Sequence, residues 1–163
     1  MAKHAPAGTP ALLALASAHV AHTVHTYAHD AGSPSGYGME AAEALGLPPD
    51  QVFKTLLVDV DGTLTVAIVP VTTTVDLKAL ARAVGGKRAT MADQSAAERA
   101  TGYVVGGISP LGQKHAHATV IDESAELYDV VYVSGGRRGL DVGLAPADLI
   151  GLTGAVVADI ARG

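Results

Sequence analysis

The hydrophobic positions of this chain fall into short runs, most with the alternation of a strand and a few with the spacing of a helix face. The clearest stretch is "QVFKTLLVDVDGTLTVAIVPV", residues 51–71. It joins two β-rich runs through Asp61-Gly62, a pair that favours the two-residue turn of a hairpin. A second hairpin is predicted over "VVYVSGGRRGLDVGLAP", residues 130–146. Single strands are predicted at "TVHTYAHD" (23–30, carrying Tyr27), "KRATMA" (87–92), "ATVIDES" (118–124) and "AVVADIA" (155–161). Helices are predicted where the period lengthens. Thr9-Pro10 is a cap and first-turn signal ahead of Leu12, Leu13, Ala16 and Val20. "MEAAEALGL" (39–47) is stopped by Gly46, "VDLKALARAVGG" (75–86) by a glycine pair, and "DQSAAERATG" (93–102) begins at a capping Asp93. "PADLIGL" (146–152) is a last short helix, and "AGSPSGYG" (31–38) a flexible loop. Hairpins interspersed with short helices argue an α+β fold with a mixed sheet. Residues 1–8 read as a disordered tail and residues 9–163 as one domain.

Composition narrows the chemistry. Nearly half of the 163 residues are hydrophobic, yet there is one Phe and no Trp, so the core must be built from Ala, Val, Leu and Ile. A net charge of -5 leaves no global basic field to draw the chain to nucleic acid, and any polyanion contact must be local. The absence of cysteine excludes disulfides, thiolate metal sites and a cysteine nucleophile. No apolar run reaches the ~18 residues of a membrane span. The alanine-rich N-terminus is read as a helix rather than a signal peptide, which makes a cytoplasmic location the expectation.

Three pieces could build a pocket. Lys54 interrupts an apolar run and, by strand alternation, shares a face with Val52, Leu56 and Val58. Taken alone it reads best as an edge-strand lysine that reaches to water; the sharper reading is a cation at a pocket floor. "GGISP" (106–110) offers Gly106 and Gly107 backbone N–H groups as a carbonyl or oxyanion cradle, against an ordinary turn. "SGGRRGLD" (134–141) lacks the spacing of a phosphate-binding loop, and its arginines read as a solvated hairpin tip. His19 with His22, His25 with His29, and His115 with His117 lack ligand spacing, so neither a metal nor any other cofactor is expected. Ser109 and Ser134 are not in a nucleophile elbow. These residues alone do not specify a reaction.

Taken together, "HTYAHD", "PDQVFKTLLV", "ATGYVVGGISPLGQK" and "VYVSGGRRGLDVGL", in this order, resemble the YbaK branch of the YbaK/ProRS-associated family of aminoacyl-tRNA editing domains. The likeness runs from about Thr9 to Arg162. It implies a highly curved, barrel-like mixed sheet with short helices around it. It also implies trans-editing, the clearance of tRNA(Pro) mischarged with cysteine, with Cys-tRNA(Cys) as a second candidate substrate. Volume alone discriminates such similar amino acids by only about 1–3 kcal/mol, so a second sieve is required. By position, the resemblance makes Lys54 the signature lysine at the terminal adenosine or phosphate, and Tyr27 the pocket tyrosine. It places Gly106 at the aminoacyl ester, with Ser134 and Asp141 on the opposing hairpin. In this branch the substrate's own thiol attacks its ester and leaves as a thiolactone, a lyase-type step; the enzyme positions it, with Gly106 and Gly107 at the oxyanion. Implied partners are the acceptor end of tRNA(Pro) and prolyl-tRNA synthetase, with cysteinyl-tRNA synthetase as a second candidate; no membrane or DNA is implied. Alternatives are a hydrolase of the Ala-tRNA(Pro) type using activated water, and a non-catalytic module that binds a nucleotide or tRNA end.

Overall fold

A computed structural model describes residues 8–29 and 36–163. Residues 1–7 of the expected tail and most of the 31–38 loop lie outside the described residues. Helix α1 (Pro10–Ser17) starts where Thr9 caps it, its hydroxyl accepting from the Leu12 N–H. It ends three residues short of Val20, because His19 turns the chain at a positive φ of 55°. Strand β1 (His22–Thr26) follows. Tyr27 lies just past it rather than within it, although its N–H still donates to the Gly139 carbonyl at 3.0 Å. Helix α2 (Tyr37–Leu45) begins two residues earlier than the apolar spacing implied and ends at Gly46, whose φ of 67° is the left-handed closure that favours glycine.

Strands β2 (Phe53–Val60) and β3 (Thr63–Pro70) form the expected hairpin. Asp61 and Gly62 both have positive φ, 52° and 89°, the turn whose twist matches that of the strands. Short β4 (Thr74–Val75) leads into α3 (Leu77–Ala83), capped by the Asp76 carboxylate. Next come β5 (Ala89–Met91) and α4 (Gln94–Thr101); Asp93 stands at the cap position of α4 without a capping bond. Strand β6 (Ala118–Asp122) is followed by the second hairpin, β7 (Val131–Arg137) with β8 (Leu140–Leu144). Helix α5 (Pro146–Thr153) comes last among the helices. The expected final strand is two, β9 (Val156–Ala158) and β10 (Ala161–Arg162), which belong to different sheets.

The fold is mixed α+β. A five-stranded sheet in the order β5-β2-β3-β6-β9 is antiparallel at β5-β2-β3 and parallel from β3 to β9. A three-stranded antiparallel sheet runs β1-β8-β7, and β10 pairs with β4. The barrel implied by resemblance is not closed. Among the described residues, a lone parallel bridge between Val52 and Tyr132 joins the two larger sheets.

The long hairpin is buried on both faces, which explains why β3 reads as a nearly unbroken apolar run. Phe53, Leu57, Val66 and Ile68 pack with Leu15, Val131, Val133, Val142 and Leu144. On the opposite face, Val58, Val60, Ala67 and Val69 pack with α3 through Ala79 and Leu80. Alternation assigns Lys54 to this second face. Asp122 secures the C-terminus: its buried carboxylate accepts from the N–H groups of Ile160 and Ala161 at 3.0 and 2.9 Å. Burial opposes that charge, but bonds from Ser124, Ile160 and Ala161 outweigh it and hold the pKa below the usual value.

Candidate active site

Between the β2 edge, the second hairpin, α2 and the turn after α4 lies a cleft of about 450 Å³. Tyr27, Lys54, Gly106, Ser134 and Asp141 all line it. Residues from four separate parts of the sequence are therefore brought to one cavity. Its volume is in the range of small-molecule sites; it has no room for the body of a macromolecule. Most of the wall is apolar, from Val52, Phe53, Leu56, Leu57, Val105 and Ile108.

Two charged groups stand in this dry setting. Asp141 is 5% exposed and faces Ser134 across the β7–β8 ladder. Burial pushes its carboxyl up to about 7, because desolvation penalises the charged form. Burial, then the Asp141 charge, pushes Tyr27 up to about 12. Lys54 is half-buried and has no ion-pair partner among the described residues. Desolvation draws its pKa down from the ordinary value. A cation and an acid with no ion-pair partner among the described residues, held in a largely apolar cleft, suit a ligand that supplies the missing charges.

The glycine pair separates into two roles. The Gly107 N–H donates to the Val104 carbonyl at 2.8 Å and closes a four-residue turn. Gly107 also lies so close to β7 that a Cβ there would meet the Arg137 Cα at 2.6 Å. It does not line the cleft; its part is packing, and its N–H is already engaged. Gly106, at a φ of 91°, occupies the turn position that demands glycine, and its N–H has no backbone partner among the described residues.

Sequence reading missed what holds that turn in place. The Glu98 carboxylate accepts from the Val105 N–H at 2.8 Å, and Arg138 Nε donates to the Val105 carbonyl at 2.8 Å. The Arg138 guanidinium also lies 5.0 Å from the centre of the Tyr37 ring, which covers Gly106. The His29 ring also lies beside Tyr37, 5.7 Å between ring centres, and its Nδ1 is 2.9 Å from Glu40. Only Arg137 of the arginine pair fits the reading of a solvated tip; Arg138 is partly buried and reaches across to the turn. A β-bulge between Ser134 and Arg137 swings it there, and no pattern in "GGRRG" signals which arginine turns inward. Among the described residues, no group of three His, Asp or Glu could hold a metal ion, and no helix is long and apolar enough to cross a membrane.

Known proteins with the same pattern show where this architecture recurs. The family model for an aminoacyl-tRNA editing domain matches residues 34–152. A protein of Enterococcus faecalis, EbsC, named as a candidate Cys-tRNA(Pro)/Cys-tRNA(Cys) deacylase, is 39% identical over 120 residues, covering 73% of each chain. A solved structure of a candidate trans-editing enzyme for prolyl tRNA synthetase superposes with a TM-score of 0.84. It is 26% identical and covers 99% of this chain and 100% of its own. A hypothetical protein of known structure superposes at a TM-score of 0.79 and 25% identity, over 91% of this chain and 96% of its own.

Proposed function

The chain belongs to the aminoacyl-tRNA editing domain family, and on that premise we propose that it is a trans-editing deacylase which clears Cys-tRNA(Pro). What supports the reading is the convergence of Tyr27, Lys54, Gly106, Ser134 and Asp141 on one cleft sized for an aminoacyl nucleoside. The likeness to EbsC adds Cys-tRNA(Cys) as a second candidate substrate.

The chemistry follows from what the cleft contains. The cysteine thiol of the substrate, with an ordinary pKa of about 8.5, supplies a small thiolate fraction at neutral pH. Its sulfur attacks the ester carbonyl; the C–S bond forms, the carbonyl oxygen becomes an oxyanion, and the bond to the tRNA 3′ oxygen then breaks. The products are a thiolactone and free tRNA, whose leaving oxygen takes up the proton. The protein contributes position and charge, and alignment of two groups in one molecule is worth several kcal/mol. Asp141 and Ser134 receive the α-amino end, Lys54 the ribose–phosphate side, and the Gly106 N–H the developing oxyanion. With the Gly107 N–H already bonded inside the turn, the oxyanion role rests on Gly106 alone of that pair.

Specificity for tRNA(Pro) comes on this reading from a complex with prolyl-tRNA synthetase, because a net charge of -5 gives little grip on the tRNA body. The deciding experiment compares deacylation of Cys-, Ser- and Ala-tRNA(Pro) by the protein and by Lys54→Ala, with the released product identified. Fast loss of cysteine as thiolactone, sparing serine and alanine, is expected, with a clear drop in Lys54→Ala at subsaturating substrate. Comparable alanine release would point to activated water, and no turnover of any ester would end the proposal.

A further inference from the structure

The edge of β2 is open around Thr55, which lines the cleft. The turn Asp61-Gly62 makes Val60 and Thr63 the closing pair of the hairpin, which in a two-residue loop exchange both hydrogen bonds. Alternation along the ladder then binds Val58, Leu56 and Lys54 to β3. It turns the N–H and C=O of Asp59, Leu57, Thr55 and Phe53 to the far side. Contacts on that side agree: the Ala92 N–H donates to the Leu57 carbonyl at 3.1 Å, and the Asp61 N–H to the Arg88 carbonyl at 2.9 Å.

Two strands share this outer edge and leave a gap between them. Among the described residues, strand β5 pairs only with Val58–Val60, and β7 pairs with the other end only through the bridge of Val52 to Tyr132. Thr55 lies between, with no strand beside it among the described residues. Met91 and Ala92 line the cleft from the β5 side and Ser134 from the β7 side. A second observation falls on the same residue. The Thr55 hydroxyl oxygen is the sole buried side-chain polar atom without a hydrogen-bond partner among the described residues. Buried polar groups without partners are rare, and alternation sets the Thr55 N–H and C=O beside this one, on an edge with no paired strand there among the described residues.

A strand residue that faces outward presents a donor and an acceptor separated by its own Cα. The complementary unit is another N–Cα–C=O skeleton, as in any hydrogen-bonded antiparallel pair. An aminoacyl ester has that skeleton: an α-ammonium group donates and the ester carbonyl accepts. We infer that Thr55 is the subsite for the α-aminoacyl group, which enters the gap and pairs with Thr55 as an added strand residue would. The α-ammonium donates to the Thr55 carbonyl, with hydrogens left for Asp141 and for the Thr55 hydroxyl, and the Thr55 N–H donates to the ester carbonyl. Thr55 thereby supplies the second oxyanion donor that Gly107 cannot.

This inference rests on the editing reading and is tested so that the two can fail separately. Replacing residue 55 by the α-hydroxy acid analogue of threonine removes its N–H and weakens the Lys54 carbonyl, which faces β3, and Thr55→Val removes the hydroxyl alone. The hydroxy-acid protein is expected to lose only a little in thermal midpoint, through the weakened Lys54 carbonyl, and about 10²-fold in kcat on Cys-tRNA(Pro), the effect of one oxyanion donor. Thr55→Val is expected to raise KM several-fold without lowering the thermal midpoint. As a control for stability, the α-hydroxy acid analogue at Leu56, which loses an N–H of the β3 ladder, should lower the thermal midpoint further than the residue-55 analogue does, and because it also weakens the Thr55 carbonyl its KM should rise. On the substrate side, 3-mercaptopropionyl-tRNA(Pro) keeps the thiol and lacks the amine, and should bind weakly to the wild type. An unchanged kcat in the residue-55 hydroxy-acid protein, with the wild type active, overturns the inference and leaves the editing reading intact. A wild type inactive on every ester defeats that reading and the inference with it.

Discussion

Asp141 offers the sharpest test of the electrostatics of the cleft, because one substitution moves stability and activity in opposite directions. Its carboxyl is pushed from an ordinary 3.8 up to about 7 by burial. The unfolded chain releases the proton near pH 4 and the folded chain keeps it until about pH 7. Across that window the native state holds more protons, so stability falls as pH rises and levels off above pH 7. At about 1.36 kcal/mol per unit over a shift of about 3 units, the full loss is about 4 kcal/mol. Asp141→Asn has no charge to bury and escapes the loss. The difference in unfolding free energy between variant and wild type should therefore grow by about 4 kcal/mol from pH 4 to pH 8, in favour of the variant. Urea unfolding at each pH measures it, and contributions from other titrating groups cancel in the difference. Deacylation should move the other way: the neutral amide cannot pair with an α-ammonium, and KM should rise. A stability difference that stays flat between pH 4 and pH 8 would refute the burial argument. A rise in stability with no change in KM would remove Asp141 from the substrate.

Other substitutions test the frame of the cleft. In Gly106→Ala the new Cβ would lie 2.7 Å from Tyr37 Cδ1 at a φ of 91°. Strain of about 2 kcal/mol should lower the melting temperature by about 4–8 °C and reduce turnover with it, as calorimetry and the deacylation assay would show; an unshifted melting temperature would contradict the strained turn. Arg138→Ala removes the bond to the Val105 carbonyl and the contact with Tyr37, and kcat should fall more than KM rises. Arg138→Lys should restore only part of the loss, since it keeps the charge over the ring but not the fork. Asp122→Ala leaves the buried Ile160 N–H without its acceptor, at a cost of about 3 kcal/mol. Because the folded-state pKa of Asp122 lies below the ordinary 3.8, the wild-type advantage should persist above that value and fade as the pH falls through it, as acid-range denaturation would show.

Local signals in the sequence determined much of this protein. Asp61-Gly62 dictates the central hairpin, since few other pairs tolerate two positive φ angles in succession. Thr9-Pro10 and Gly46 mark helix ends through bonds that the neighbouring residues make themselves. The motifs around Tyr27, Lys54, Gly106, Ser134 and Asp141 were legible too, as was their likeness to an editing family. What they could not show was convergence. The cleft exists because two sheets meet at the Val52–Tyr132 bridge and then part, a contact between residues 80 positions apart in sequence. Its own segment leaves Lys54 an ordinary edge lysine; the resemblance singles it out, and the apolar wall around it is a product of tertiary packing. The inward arginine was chosen by a bulge, and the open main chain of Thr55 by where β5 stops and β7 leaves. Hydrogen bonds between distant strands leave no periodic trace in the chain, so only the tertiary structure decides which backbone groups remain for a ligand.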